Sequence, residues 1–180
     1  MRLLASHIHP SLDALDGKSH LYREAARGIV LSGERILLLH TERYDDYSLP
    51  GGGIDPGEAP VRGLVRELEE ETGARGVRDV AAFGRYEEFR PWYKPEYDVL
   101  HMMSYCYTCR IDSELGSTRL ESYEQDNGMR AIWVSIAQAI AHNEATMANS
   151  SKQGLSVARE TFLLRRIARE CLSANTAMVA

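Results

Sequence analysis

The sequence predicts an α/β domain of strands with three helices, and three stretches carry that prediction. Residues 99–111 read as the clearest strand, with Val99, His101, Met103, Tyr105, Tyr107 and Cys109 on one face. Residues 36–39 form a continuous apolar run, as expected of a strand covered on both faces. Turned at about 100° per residue, the stretch 59–72 becomes an amphipathic helix. Val61, Leu64, Val65 and Leu68 lie on one side and Glu67, Glu70 and Glu71 on the other. At 180 residues the chain is most simply one domain, large enough to bury a real core.

Taken in order, residues 1–20 suggest a short strand or N-terminal arm with a turn at Asp16 and Gly17. The apolar runs 25–31 and 36–40, separated by Ser32, Gly33 and Glu34, form a hairpin. A polar connection at 44–48 leads to three successive glycines, Gly51 to Gly53, whose backbone can approach a ligand closely or simply turn tightly. Pro60 fits a first helical turn and Gly73 a C-cap. Gly63 is costly in mid-helix, which suggests either room for a ligand or loop, or a tolerated small residue. Residues 77–89 read as one or two extended segments. The aromatic, proline-containing stretch 86–97 reads as a loop that stacks a base, contacts a second copy, or packs inward. A polar, acidic connection over 111–128 turns at Gly116 and again at residues 126–128. A strand at 131–134, a helix at 135–142, a loop at 143–154 and a helix at 155–172 complete the order. On the last helix Arg159, Arg165, Arg166 and Arg169 interleave with Glu160 and Glu170 and read as a solvated face. The expected domain spans residues 21–173, with a frayed tail over 174–180.

Composition excludes several classes. Hydrophobic residues make up 44% and charged residues 26%, ordinary globular values. A net charge of −5 gives no general attraction to nucleic acid or membrane, so no stable partner of either kind is expected. The N-terminal residues lack the apolar core of a secretory signal, so the cytoplasm is the expected location. Three cysteines do not suggest a disulfide framework. Cys106 and Cys109 have the spacing of a metal or redox pair, but residues three apart on a strand point to opposite faces and their sulfurs diverge. The six histidines show no ligand spacing, and His7 and His9 are read as solvated.

The stretch 52–74 organises the rest. Glu67, Glu70 and Glu71 stand at i, i+3 and i+4, so three carboxylates share one helix face at a cost of a few tenths of a kcal/mol per like-charged pair. Such a cluster becomes sensible around a hard divalent cation, which binds through carboxylates and substrate phosphates. Gly52, Glu58, Arg66, Glu67, Leu68, Glu70, Glu71 and Gly73 resemble the Nudix box at every fixed position, with only Ala74 smaller than the usual aliphatic residue.

That resemblance implies a Nudix fold, a mixed β-sheet sandwiched between helices with the box as loop–helix–loop. It also implies metal-dependent hydrolysis of a phosphoanhydride in a nucleoside diphosphate linked to another moiety. Mg²⁺ or Mn²⁺ would be held by Glu67, Glu70 and Glu71, with the Gly51 carbonyl as a further ligand. Glu70 and Arg66 take catalytic roles, Arg66 by orienting a box glutamate, and Glu58 supports from behind. The family draws its general base from the box or from a later loop. Glu121 and Glu124 are candidates for the latter, and Glu124 is the one assigned here. Gly52, Phe89 and Trp92 are assigned to substrate, as is Arg43, whose alternative is an ordinary surface arginine. Pro91 lies near, but not at, the position that marks ADP-ribose hydrolases. ADP-ribose, dinucleoside polyphosphates and (oxidised) nucleoside triphosphates therefore all remain open. A non-catalytic nucleotide sensor is the rival reading, and a homodimer is compatible with the family.

Overall fold

Strand β2 (His20–Ser32) is the spine of the molecule. The computed structural model describes residues 1–172. Along one edge β2 runs parallel to β6 (Val99–Arg110), in register from His20 opposite Val99 to Val30 opposite Cys109. Its last two residues turn back on β3 (Arg35–Thr41) through Gly33, at φ 60°. Beyond β6 lies β5 (Arg78–Pro91), antiparallel, and beyond that β1 (Leu3–Ile8), parallel to β5. On the other side β3 pairs antiparallel with β4 (Asp46–Ser48) and with β7 (Met129–Ser135). Parallel and antiparallel pairs thus share one mixed, seven-stranded sheet.

Two apolar clusters cover its faces, and the alternation of side chains decides which residue joins which. Ile36 and Leu38 pack with Ile29, Cys106, Leu163, Leu164 and Ile167 under α3 (Ile136–Asn149) and α4 (Val157–Ile167). Leu37 packs on the opposite face with Ala26, Val30, Cys109, Leu64 and Leu68, under α1 (Pro60–Thr72). The apolar run 36–39 is therefore covered on both sides, and the two cysteines of β6 face different clusters. Helices on both faces of a mixed sheet give the α/β architecture that the sequence predicts. Among the described residues no helix is long and apolar enough to cross a membrane.

The short strand expected within residues 1–20 is present as β1 at the sheet edge, and Leu4's entry into the core adds to that reading. Several elements depart from the sequence reading. The first half of the stretch 86–97 is strand, because Tyr86 through Pro91 pair with β6, and the connecting loop begins at Trp92. The acidic connection contains a short helix, α2 (Ser122–Asp126). Helix α3 continues to Asn149, through residues whose polarity suggests a loop. Their polar groups are used inward: the Asn143 side chain accepts from the Tyr47 N–H at 2.8 Å and donates to the Tyr47 carbonyl at 2.9 Å. The Thr146 hydroxyl donates to the Asp45 carbonyl at 2.8 Å. Helix α4 starts at Val157 and passes into a π-helical turn at Ala168–Leu172. Its arginines are not one solvated face. Arg159 is buried, donating to Glu88 at 2.7 Å and Glu160 at 2.8 Å, and Glu160 in turn accepts from the Leu49 N–H at 2.9 Å. The tail from 173 onward lies outside the described residues.

Candidate active site

The glycine loop before α1 is stitched to β2 by its backbone. Gly28 N–H donates to the Pro50 carbonyl, Ala26 N–H to that of Gly52, and Ile54 N–H to that of Glu24, at 2.8 to 3.0 Å. Contact this close excludes side chains. Gly51 sits at φ 129°, and a Cβ there would lie 2.0 Å from the Ala26 carbonyl oxygen. A Cβ on Gly52 would lie 2.6 Å from the Glu67 carboxylate, so the missing side chain is the space that carboxylate fills.

Helix α1 begins at Pro60 and ends on Gly73, at φ 70°. Leu64 and Leu68 anchor it, whereas Val61, expected on the apolar stripe, is 41% exposed at the first turn. The space at Gly63 is taken by the preceding loop: a Cβ there would lie 3.0 Å from Glu58 Oε2.

Arg66 ties the acidic face together. Its guanidinium donates to both Glu58 oxygens at 3.2 and 3.0 Å, to Glu67 at 2.6 Å and to the Gly53 carbonyl at 2.9 Å, and reaches Glu70 at 3.5 Å. These contacts hold the Glu58 carboxyl below its usual range, with help from the Asp55 N–H. Glu71 is 4% exposed and accepts from the Gly51 N–H at 2.5 Å. Burial pushes its carboxyl up to about 8, against the pull of that N–H and of Arg27, with Glu67 and Glu124 adding to the rise. Burial also raises Glu67, opposed by Arg66 and Arg27.

From outside the box comes Glu124. It is 5% exposed and accepts from Glu121 N–H at 2.8 Å and from the Tyr123 hydroxyl at 3.0 Å. Its charge is felt at Glu71, while Glu121 faces solvent. Glu58, Arg66, Glu67, Glu70, Glu71, Glu124, Gly51 and Gly52 are thus gathered in one place. Arg43 is elsewhere engaged, donating to the Asn127 side chain at 3.1 Å and lying over Tyr44. Phe89 lies in β5 rather than a loop, stacked on His101 at 4.2 Å. Trp92 packs against Tyr93 and under the Arg23 guanidinium, at 5.4 Å. Arg23 in turn lines a cleft of about 510 Å³ with Tyr22, Glu24, Ile54 and Glu58, beside the box.

Sequence reasoning missed Arg27. Its guanidinium donates to the Gly51 carbonyl, and its Nε is buried without a partner in the protein. The signal was present: a permanent charge in the apolar run 25–31 must have a counter-group. The Gly51 carbonyl therefore already serves Arg27, although a carbonyl has a second lone pair to offer.

The donor set suits a hard divalent cation. It is all oxygen, and Glu67 and Glu71 are carboxylates whose charge is penalised by burial. The box carboxylates do not converge as a ligand triad here, because each has found its own partner, Arg66 for Glu67 and the Gly51 amide for Glu71.

A sequence profile described as the NUDIX domain matches residues 21–155. An RNA pyrophosphohydrolase of Erythrobacter litoralis (strain HTCC2594) is 42% identical over 67 residues, 34% of this chain and 40% of that protein. An 8-oxo-(d)GTP phosphatase of Mycolicibacterium smegmatis (strain ATCC 700084 / mc(2)155) is 45% identical over 42 residues, 23% of this chain and 13% of that protein. The chain therefore spans less than half the length of these curated relatives. A NUDIX hydrolase structure from Nitrosomonas europaea superposes with a TM-score of 0.54 at 16% identity, covering 81% of this chain and 89% of that one. The profile extends well beyond the box through most of the strands and helices described above, and the chain belongs to the Nudix family.

Proposed function

We propose that this protein hydrolyses a phosphoanhydride in a nucleoside diphosphate linked to another moiety. One observation carries the reading. The desolvated Glu71 feels the charge of Glu67, from its own helix, and of Glu124, from a separate segment. A fold gains nothing from such crowding unless positive charge is supplied there.

Glu67, Glu70 and Glu71 would hold Mg²⁺ (or Mn²⁺), which when bound neutralises pyrophosphate charge and acidifies a water. Arg66 keeps Glu67 and Glu58 in place, and Gly52 leaves the space that the Glu67 carboxylate needs. Arg27 holds the Gly51 carbonyl and offsets negative charge from below. Glu124 takes the proton from the attacking water. The water oxygen forms a bond to phosphorus, the bridging P–O bond breaks, and the leaving phosphate carries the electron pair away. The cleft lined by Arg23 and Tyr22, with Trp92 behind Arg23, receives the nucleoside side of the substrate.

ADP-ribose, dinucleoside polyphosphates and (oxidised) nucleoside triphosphates are the substrate classes to test. The names of the two relatives add RNA-borne pyrophosphate and oxidised guanine nucleotides to the test panel. The protein is incubated with that panel in Mg²⁺, and phosphate-containing products are measured. Turnover of at least one nucleotide, abolished by EDTA and by Glu70→Gln with the fold retained, is the expected outcome. Nucleotide binding without turnover across the whole panel would establish the sensor instead, and wild-type turnover in Glu70→Gln would remove the box from the mechanism.

A further inference from the structure

Away from the box, three residues that no spacing rule connects meet at the β3–β4 turn. His40 is the penultimate residue of β3, Asp45 ends the tight turn that follows, and His142 reaches across from α3. One donor atom from each lies within 4.8 Å of the other two. His142 Nε2 is 3.1 Å from Asp45 Oδ1, and His40 Nε2 approaches the same oxygen at 3.5 Å. Donors about 2.0 to 2.2 Å from a tetrahedral ion stand roughly 3.4 Å from one another, so this triad is near the size of a coordination shell already.

We propose that His40, Asp45 and His142 form a second metal site, for a divalent transition ion of the Zn²⁺ class, which fastens the β3–β4 turn to helix α3. Two imidazoles and one carboxylate suit such ions far better than Mg²⁺, whose preference is for oxygen.

Two further features distinguish the triad from an ordinary surface cluster. His40 is only 9% exposed, and its Nε2, the ring nitrogen that faces Asp45, stands 3.5 Å from that carboxylate, at the long limit of a hydrogen bond. A buried imidazole so poorly satisfied by its neighbours calls for another partner. Asp45 holds the left-handed conformation at φ 52°, an uncommon setting for a residue with a side chain, and it turns the carboxylate toward both rings. Tyr47 packs against both imidazoles, at 5.0 Å from each, and restrains their orientation. Asp45 and His142 also border a shallow cavity of about 350 Å³, with Thr146 and Lys152.

The competing explanation is a trio of hydrogen bonds in which both rings donate to Asp45. His142→Gln separates the two, because a glutamine amide still donates from about the position of Nε2 but ligates zinc poorly. Zn²⁺ is titrated into the metal-free protein against a chromophoric chelator, with Mg²⁺ saturating the box and in a Glu70→Gln background. Expected are one equivalent of Zn²⁺ and a rise in melting temperature on adding it. Both should be lost in His142→Gln and His40→Gln, with affinity falling by more than about 100-fold, the upper end of what losing even an outer partner costs. Co²⁺ in place of Zn²⁺ should show the strong visible absorption of a four-coordinate site in the parent and not in these variants. Zn²⁺ affinity and Co²⁺ spectrum unchanged in a folded His142→Gln variant would overturn the site, as would the absence of stoichiometric Zn²⁺ binding in the parent.

Discussion

Glu71 shows how far one side chain can be pushed. Burial, with the charges of Glu67 and Glu124 adding, pushes its carboxyl up to about 8, against 4.5 for the free group. A folded-state pKa above the unfolded one favours the fold below about pH 4.5, and that contribution is lost as pH rises through 8. Glu71→Gln cannot acquire the charge. In EDTA, urea unfolding at pH 5 should find the variant close to wild type, and at pH 9 more stable by about 1 kcal/mol or more. The opposite ordering at pH 9 would mean that the ionised carboxylate has a stabilising partner besides the Gly51 amide and Arg27. The same residue was legible from the sequence because its chemistry is local: three carboxylates on adjacent turns of one helix need no tertiary information to be placed together. Arg27 and the histidines of the β3–β4 turn are different. Arg27 meets the box only because β2 lies beneath the glycine loop, and His40 meets His142 only because α3 crosses β4. No spacing along the chain encodes either meeting.

At the scale of elements, helix α1 and the loop before it act as one unit, and Gly52 is their joint. Alanine there should leave the melting temperature nearly unchanged, since the group it strikes is the flexible end of Glu67. Turnover should fall about tenfold or more, or roughly 1.4 kcal/mol in the barrier, because that carboxylate must turn aside. A second joint lies on the opposite face, where Arg159 of α4 pairs with Glu88 of β5 and its neighbour Glu160, which in turn accepts from Leu49 N–H. Arg159→Met strands two buried carboxylates, and chemical denaturation should register a loss of about 3–5 kcal/mol. The sequence concealed this joint. Alternating signs along a helix are the usual mark of a wet surface, and the only hint otherwise was that Leu163, Leu164 and Ile167 require one side of α4 to be dry. Helix α3 was cut short for a related reason: Asn143 and Thr146 resemble loop residues until their partners on Tyr47 and Asp45 are known. In the run 36–39 element and burial both followed from the sequence; in α1 the element did, while Val61 of the expected apolar stripe is exposed and Glu71 is buried.

For the whole molecule, α1 faces one side of the sheet while α3 and α4 hold the other, and the glycine loop crosses between them from β4. Asn143 and Glu160 grip β4 and Leu49 just upstream of Gly51, so the far face also positions the chain entering the box. The spine strand adds a constraint of another kind. Residue 20 of β2 pairs with residue 99 of β6, and the glycine loop takes its backbone partners from β2 as well. Pairings between segments so distant along the chain are closed slowly. Refolding monitored by pulsed hydrogen exchange should therefore find the amides of Ala26 and Gly28, which donate to the loop, protected no earlier than those of β6, whereas helix α1 can gain protection before either. During synthesis the consequence is temporal. The residues of the box leave the ribosome well before β6, and the scaffold that shapes them is incomplete until Glu160, which holds Leu49, has emerged, so the glycine loop should be among the last parts of a nascent chain to become competent.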